Sequence, residues 1–150
     1  MTNRIAVWIA TLGPVGHIKY APGTFGSLCA MPLVFLTRHQ PSLLFALFLL
    51  INLIGIWSSG VAAQQMKVHD PSNVVIDEVC GILMTFLFIP ISWYSVGIGF
   101  VCFRFFDVMK PPPIRFLEKA PGGIGIVLDD LGAGLFANIL LQLILRYAQL

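Results

Sequence analysis

Charge is what this chain lacks most. Nine of its 150 residues are Lys or Arg and seven are Asp or Glu, so charged residues make up 11% of a chain that is 57% hydrophobic, with a mean hydropathy of +0.88. So few charges do not cover the surface of a water-soluble domain, and the composition is that of a single-domain membrane protein. A formal net charge of +2, scattered along the chain, does not form a nucleic-acid stripe, so nucleic acid is not an expected partner. Cysteine is scarce too. Cys29, Cys80 and Cys102 lie in apolar runs with no Cys-x-x-Cys spacing, which points to small apolar fillers and not to a disulfide framework or a zinc site. Several catalytic signatures are missing. No cysteine has an arginine six residues later, Asp129-Asp130-Leu131 is not an Asp-x-Asp pair, and neither a P-loop nor a Gly-x-Ser-x-Gly elbow occurs.

What is present is a set of long uncharged stretches. Residues 20–37, 39–66, 79–103 and 131–145 contain no Asp, Glu, Lys or Arg, and each is a candidate membrane segment. Pro41 to Val61 is the clearest. Arg4 followed by Ile5 to Leu12 resembles the start of a signal peptide but lacks a small-x-small cleavage site, and is expected to stay as an interfacial helix. Pro90 and the interfacial aromatics that follow it interrupt 79–103, which predicts a hairpin of two short helices. That hairpin would bring Asp77, Glu78, Arg104 and Asp107 to one face. Alternation along the chain then predicts segments at about 24–37, 42–63, 77–90, 95–107 and 129–146, a polytopic helical bundle with short helices. One face collects all seven carboxylates with Arg4, Lys19, Lys67, Arg104, Lys110, Arg115 and Lys119, leaving only Arg38 and Arg146 on the other. The positive-inside rule puts the charged face in the cytoplasm.

Carboxylates near a membrane are costly unless something binds them. Asp77 and Glu78 are expected to open one helix, Asp107 to close the next and Asp129-Asp130 to open the last, so that their oxygens converge on a hard cation such as magnesium. Ordinary first-turn acids favoured by the helix dipole would explain four of these five, but not Asp107 at a helix C-terminus. Arg104, one turn before Asp107, and Lys110 are candidate phosphate ligands or partners in salt bridges. Pro111-Pro112-Pro113 stops the helix, and Ile114-Arg115-Phe116-Leu117 reads as a short amphipathic piece on the membrane surface. Gly23 and Thr24, in the turn Ala21-Pro22-Gly23-Thr24-Phe25-Gly26-Ser27, and Gly122-Gly123-Ile124-Gly125 precede helices whose free N–H groups can receive phosphate oxygens; the glycines can equally serve tight turns or close helix packing, and Thr24 can equally be an N-cap. His69 and Asp70, before Pro71, are read as the end of the second segment, with a supporting proton-transfer role in reserve. Together these point to metal-assisted attack on a phosphorus centre of a phospholipid head group. The alternatives are a phosphatase of another membrane lipid phosphate and an ion or proton carrier, which would place its acids in mid-span.

Four motifs, in this order and spacing, resemble the phosphatidylglycerophosphatase A family: Ala21 to Ser27, Val74-Val75-Ile76-Asp77-Glu78, Phe103 to Ile114 and Gly122 to Gly134. The resemblance runs from about residue 11 to residue 146. It implies an all-α fold and a magnesium-dependent, multi-pass enzyme of the bacterial inner membrane, with its active site facing the cytoplasm. Such an enzyme hydrolyses the terminal phosphate of phosphatidylglycerophosphate to leave phosphatidylglycerol. Carried over, the acidic motif positions fall on Asp77, Glu78, Asp107, Asp129 and Asp130 as catalytic groups and metal ligands, with Arg104 catalytic. Lys110, Arg115, Gly23 and Thr24 are assigned to the substrate. Two positions depart from the pattern: Lys19 stands where many members have proline, and Gly132 replaces a larger residue.

Overall fold

The computed structural model describes residues 2–148, which form seven α-helices and no strand. Helices α1 (Thr2–Ala10) and α2 (Pro22–Leu36) are separated by a 3-10 turn at Val15–His17. There follow α3 (Pro41–Met66), α4 (Ile76–Phe86), α5 (Trp93–Met109), the single turn α6 (Ile114–Leu117) and α7 (Gly123–Ala148). Proline sets two of the starts: Pro22 and Pro41 occupy the first helical positions of α2 and α3, where a missing N–H costs nothing. The expected hairpin is present. After α4 ends at Phe86, Ser92 starts α5 with a capping box, its Oγ accepting the Ser95 N–H at 3.1 Å while its own N–H donates to Ser95 Oγ at 2.8 Å.

The short α4 is the centre of the bundle, packed between α2, α3, α5 and α7, and its Cys80, Ile82, Leu83 and Phe86 are fully buried. Lipid tails are as apolar as leucine, so helices in a membrane associate through close packing and internal hydrogen bonds. Both occur where α4 meets α7. A Cβ on Gly134 would lie 2.3 Å from the Gly81 carbonyl oxygen, so only glycine allows the two backbones to approach so closely. Farther along, Asn138 Nδ2 donates to the carbonyls of Thr85 and Leu87, both at 2.9 Å, satisfying groups that the end of α4 leaves without helical partners.

Helices α3 and α7, at 26 residues each, are long and apolar enough to cross a membrane. The other expected segments are shorter helices: α2 has 15 residues, α4 has 11 and α5 has 17. At about 1.5 Å per residue none of them matches a hydrocarbon core of about 30 Å.

Two expected boundaries are corrected. The last helix opens at Gly123, not at residue 129, so Asp129 and Asp130 lie inside α7 beyond its first turn. The glycines read as a turn are helical because their bare Cα atoms allow contact: a Cβ on Gly123 would sit 1.9 Å from the Ile56 carbonyl oxygen of α3, and one on Gly125 2.1 Å from that of Ala120. Thr24 is not an N-cap. Ala21, in the left-handed region at φ 50°, takes that position because Pro22 already begins the helix.

Candidate active site

The start of α4, the end of α5 and the interior of α7 meet at one cavity of about 270 Å³, closed by the start of α2 and the loop before α4. Its walls carry Asp70, Asp77, Glu78, Asp107, Asp129 and Asp130, six of the seven carboxylates in the chain, with Arg104 and Lys110 as the only cations. The hairpin turn at Pro90 is what allows this. It returns α5 alongside α4, so that Arg104 and Asp107 reach the same cavity as Asp77 and Glu78. Arg38 and Arg146, by contrast, stand at the far ends of α2 and α7.

Two of the acids are matched with cations. Lys110 Nζ donates to Asp129 Oδ2 at 2.5 Å and lies 3.6 Å from Glu118 Oε2. Burial alone would lower the Lys110 pKa, but the hydrogen bond and charge of Asp129, aided by Glu118 and Asp130, raise it above its ordinary value and keep the ammonium charged. Arg104 Nη1 stands 2.7 Å from Asp107 Oδ2 without the alignment of a hydrogen bond, so it retains an N–H to donate.

The remaining acids face one another. Oxygens of Asp77, Glu78 and Asp130 lie within 4.8 Å of each other, an all-oxygen set suited to a hard divalent cation. Asp77 Oδ1, Glu78 Oε2 and Asp129 Oδ1 are buried with no hydrogen-bond partner, an arrangement that costs several kcal/mol per charge unless a cation or a proton satisfies it. Gly23 makes room for this group, since a Cβ there would fall 2.0 Å from Glu78 Oε1. Two residues on the cavity wall, Ala21 (φ 50°) and Lys110 (φ 40°), hold left-handed backbone that disfavours side chains. Strain of this kind persists where the surroundings hold a residue in place, as at a ligand-binding wall.

A sequence model described as phosphatidylglycerophosphatase A matches residues 8–145. The chain belongs to the phosphatidylglycerophosphatase A family. It is 38% identical over 132 residues to the phosphatidylglycerophosphatase A of Escherichia coli (strain K12), covering 86% of this chain and 77% of that protein. With the phosphatidylglycerophosphatase A of Haemophilus influenzae it shares 39% identity over 128 residues, 83% of this chain and 78% of the other. A Bacteroides thetaiotaomicron protein named "Putative phosphatidylinositol-3-phosphatase" is 35% identical over 147 residues, 91% of each chain. No solved structure matches.

Within this family member, Asp77, Glu78, Arg104, Asp107, Lys110, Asp129, Asp130 and Gly23 all line the acidic cavity. Thr24 does not, because it sits one position past Gly23 in the first turn of α2. Arg115 lines a separate cleft with His69. Asp70 is the acid that sequence reading left out of the site. Its position just before Asp77-Glu78 on the charged face was the available signal, obscured by reading it as part of a helix end.

Proposed function

We propose that the acidic cavity is the active site of a magnesium-dependent lipid phosphatase that converts phosphatidylglycerophosphate to phosphatidylglycerol and phosphate. The observation that carries this reading is the convergence of six carboxylates and two cations from separate elements, with three buried carboxylate oxygens lacking a partner. Asp77, Glu78 and Asp130 would hold the magnesium, with the free oxygen of Asp129 and the carboxylate of Asp107 adjoining. Magnesium bound there supplies Lewis acidity towards a phosphoryl oxygen. Arg104 directs its spare N–H at the phosphoryl group, and the Lys110 ammonium offsets the charge that grows on its oxygens. A carboxylate without a cationic partner takes the proton of the attacking water. The water oxygen bonds to phosphorus as the bond from phosphorus to the glycerol oxygen breaks; the leaving oxygen takes up a proton from solvent water, and the carboxylate gives up its own to solvent. Asp107 and Asp129 position Arg104 and Lys110 through their ion pairs.

In this reading α3 and α7 cross the bacterial inner membrane, and the shorter helices enter it from the side that carries the site. The excess of basic residues on the charged face supports a cytoplasmic orientation. The test is phosphate release from phosphatidylglycerophosphate by detergent-purified protein, with magnesium and with chelator, alongside Asp129→Asn and Arg104→Ala. Magnesium-dependent release, lost in both variants, is expected. No release by folded wild type rejects the substrate, and equal release by the variants rejects the site. A second lipid phosphate, the 3-phosphate of phosphatidylinositol, belongs in the same assay because the Bacteroides relative is named for it.

A further inference from the structure

Next to the acidic cavity lies a second cleft, of about 330 Å³, lined by His69, Arg115, Phe116, Glu118 and Lys119. His69 faces the cleft while its neighbour Asp70 faces the acids, and a single ammonium, Lys110 Nζ, touches Glu118 on one side and Asp129 on the other. Glu118 is the cleft's only anion and is directed at Lys110. Arg115 and Lys119 have no carboxylate partner among the described residues; Lys119 Nζ rests 5.2 Å from the Phe116 ring centroid. The His69 ring meets the Glu118 carbonyl oxygen at 3.3 Å, an oxygen that can only accept, so Nε2 donates and fastens the loop to α6. Phe116, 61% exposed, edges the cleft. The cleft therefore combines two cations without carboxylate partners with the apolar edge of one aromatic ring.

We infer that this cleft binds the phosphodiester of the lipid while the acidic cavity takes its phosphomonoester, so that the protein selects lipids bearing both groups. The inference rests on the lipid phosphatase reading above. In phosphatidylglycerophosphate a three-carbon glycerol separates the two phosphates, a short bridge that suits two cavities divided by one lysine ammonium. A guanidinium and an ammonium recognise a diester monoanion by charge-assisted hydrogen bonds, and the apolar edge of the Phe116 ring meets the start of the acyl chains. A 3-phosphate of phosphatidylinositol carries the same pair of groups across an inositol ring. Phosphatidic acid has only the monoester and lacks the second handle.

The test compares wild type with an Arg115→Ala, Lys119→Ala double variant in magnesium-containing detergent micelles. The readouts are KM and kcat for phosphatidylglycerophosphate, and inhibition by phosphatidylglycerol, which has only the diester, and by inorganic phosphate, which mimics the monoester. Expected are rises of about tenfold in both KM and the phosphatidylglycerol inhibition constant, with inhibition by inorganic phosphate within about twofold of wild type. Exchanging the two cations, Arg115→Lys with Lys119→Arg, recovers most of the loss. The inference is overturned if phosphatidylglycerol does not inhibit wild type, if its inhibition is unchanged in the variant, or if both inhibitors weaken equally. Wild type that releases no phosphate from phosphatidylglycerophosphate rejects the function itself, a result separable from these three.

Discussion

Helices α3 and α7 each run for 26 residues and each is apolar enough to cross a bilayer, yet the protein surrounds them differently. Beyond Leu44 near its start, the buried positions of α3, Asn52, Gly55, Ser58, Ser59, Ala62 and Ala63, form a narrow stripe of small and polar residues, while Leu49, Leu50, Leu53 and Trp57 point outward. Helix α7 packs against α3, α4, α5 and α6 over most of its surface, leaving a strip at Leu135, Ile139 and Leu143 exposed, and its buried positions include Asp129, Asp130 and Asn138. Enclosure is what lets a hydrophobic helix carry two carboxylates, because neighbouring elements supply Lys110 and the other oxygens of the acidic group. Length and apolarity make both helices candidate spans. They do not tell which one faces lipid and which carries chemistry.

The sharpest contrast should come from Asp130, which α7 has and α3 has no counterpart for. Asp130→Asn preserves volume and removes one oxygen charge from the three-carboxylate group. Phosphate release should fall by about a thousandfold, equivalent to about 4 kcal/mol on the barrier, while the helical circular dichroism is retained. Unaltered turnover would leave the enclosed helix without a chemical role. Next in size is the packing that encloses α7. Gly134→Val would drive a side chain into the Gly81 carbonyl oxygen, 2.3 Å from the Cβ position, and Met84 Cβ stands only 2.9 Å away. Backbone cannot yield as a side-chain tip does, so a loss of about 3 kcal/mol in thermal or denaturant stability is expected. Gly97→Ala on α5, where a Cβ meets nothing within 4 Å, provides the control and should cost no stability, gaining up to about 1 kcal/mol from helix propensity.

Local signals explain what could be read from the chain beforehand. Helix α2 starts at Pro22, two residues before the expected position, whereas Pro41 and Pro90 act on their own backbone, so the start of α3 and the hairpin that joins Glu78 to Arg104 could be inferred from neighbours in sequence. The start of α7 could not. Gly122-Gly123-Ile124-Gly125 has the composition of a turn, and only the carbonyls of Ile56 and Ala120, contacts made in the folded state, explain why its last three residues are helical. The acids in α7 were therefore expected at a helix end, and the argument against a carrier leaned on that position. In the fold they lie within the helix, yet at the level where α4 begins and α5 ends, which keeps them in one cavity with the cations. Asp70 enters through a loop whose course depends on tertiary contacts. Which acids pair with Arg104 and Lys110 depends on side-chain geometry that spacing does not encode.

A smaller effect is expected at the end of the enclosed helix remote from the chemistry. Asn138→Ala removes the donor shared by the carbonyls of Thr85 and Leu87 at the close of α4, where no water replaces it in an apolar setting. Stability should drop by about 2 kcal/mol, measured by thermal unfolding in detergent, with phosphate release at low temperature changed much less.

The smallest effect belongs to the outward face of α3. Leu53 is 69% exposed, so Leu53→Ala takes away surface that meets little of the rest of the protein, and stability should stay within about 0.5 kcal/mol of wild type. The same near-zero change is expected in micelles and in bilayers, because in both the lost methyl groups are replaced by hydrocarbon. A loss of about 2 kcal/mol or more, of the size seen when a packed leucine is cut back to alanine, would mean that this face is covered in the working protein. A second copy of the chain would then be the first occupant to seek, and α3 would join α7 as an enclosed helix, removing the difference between them.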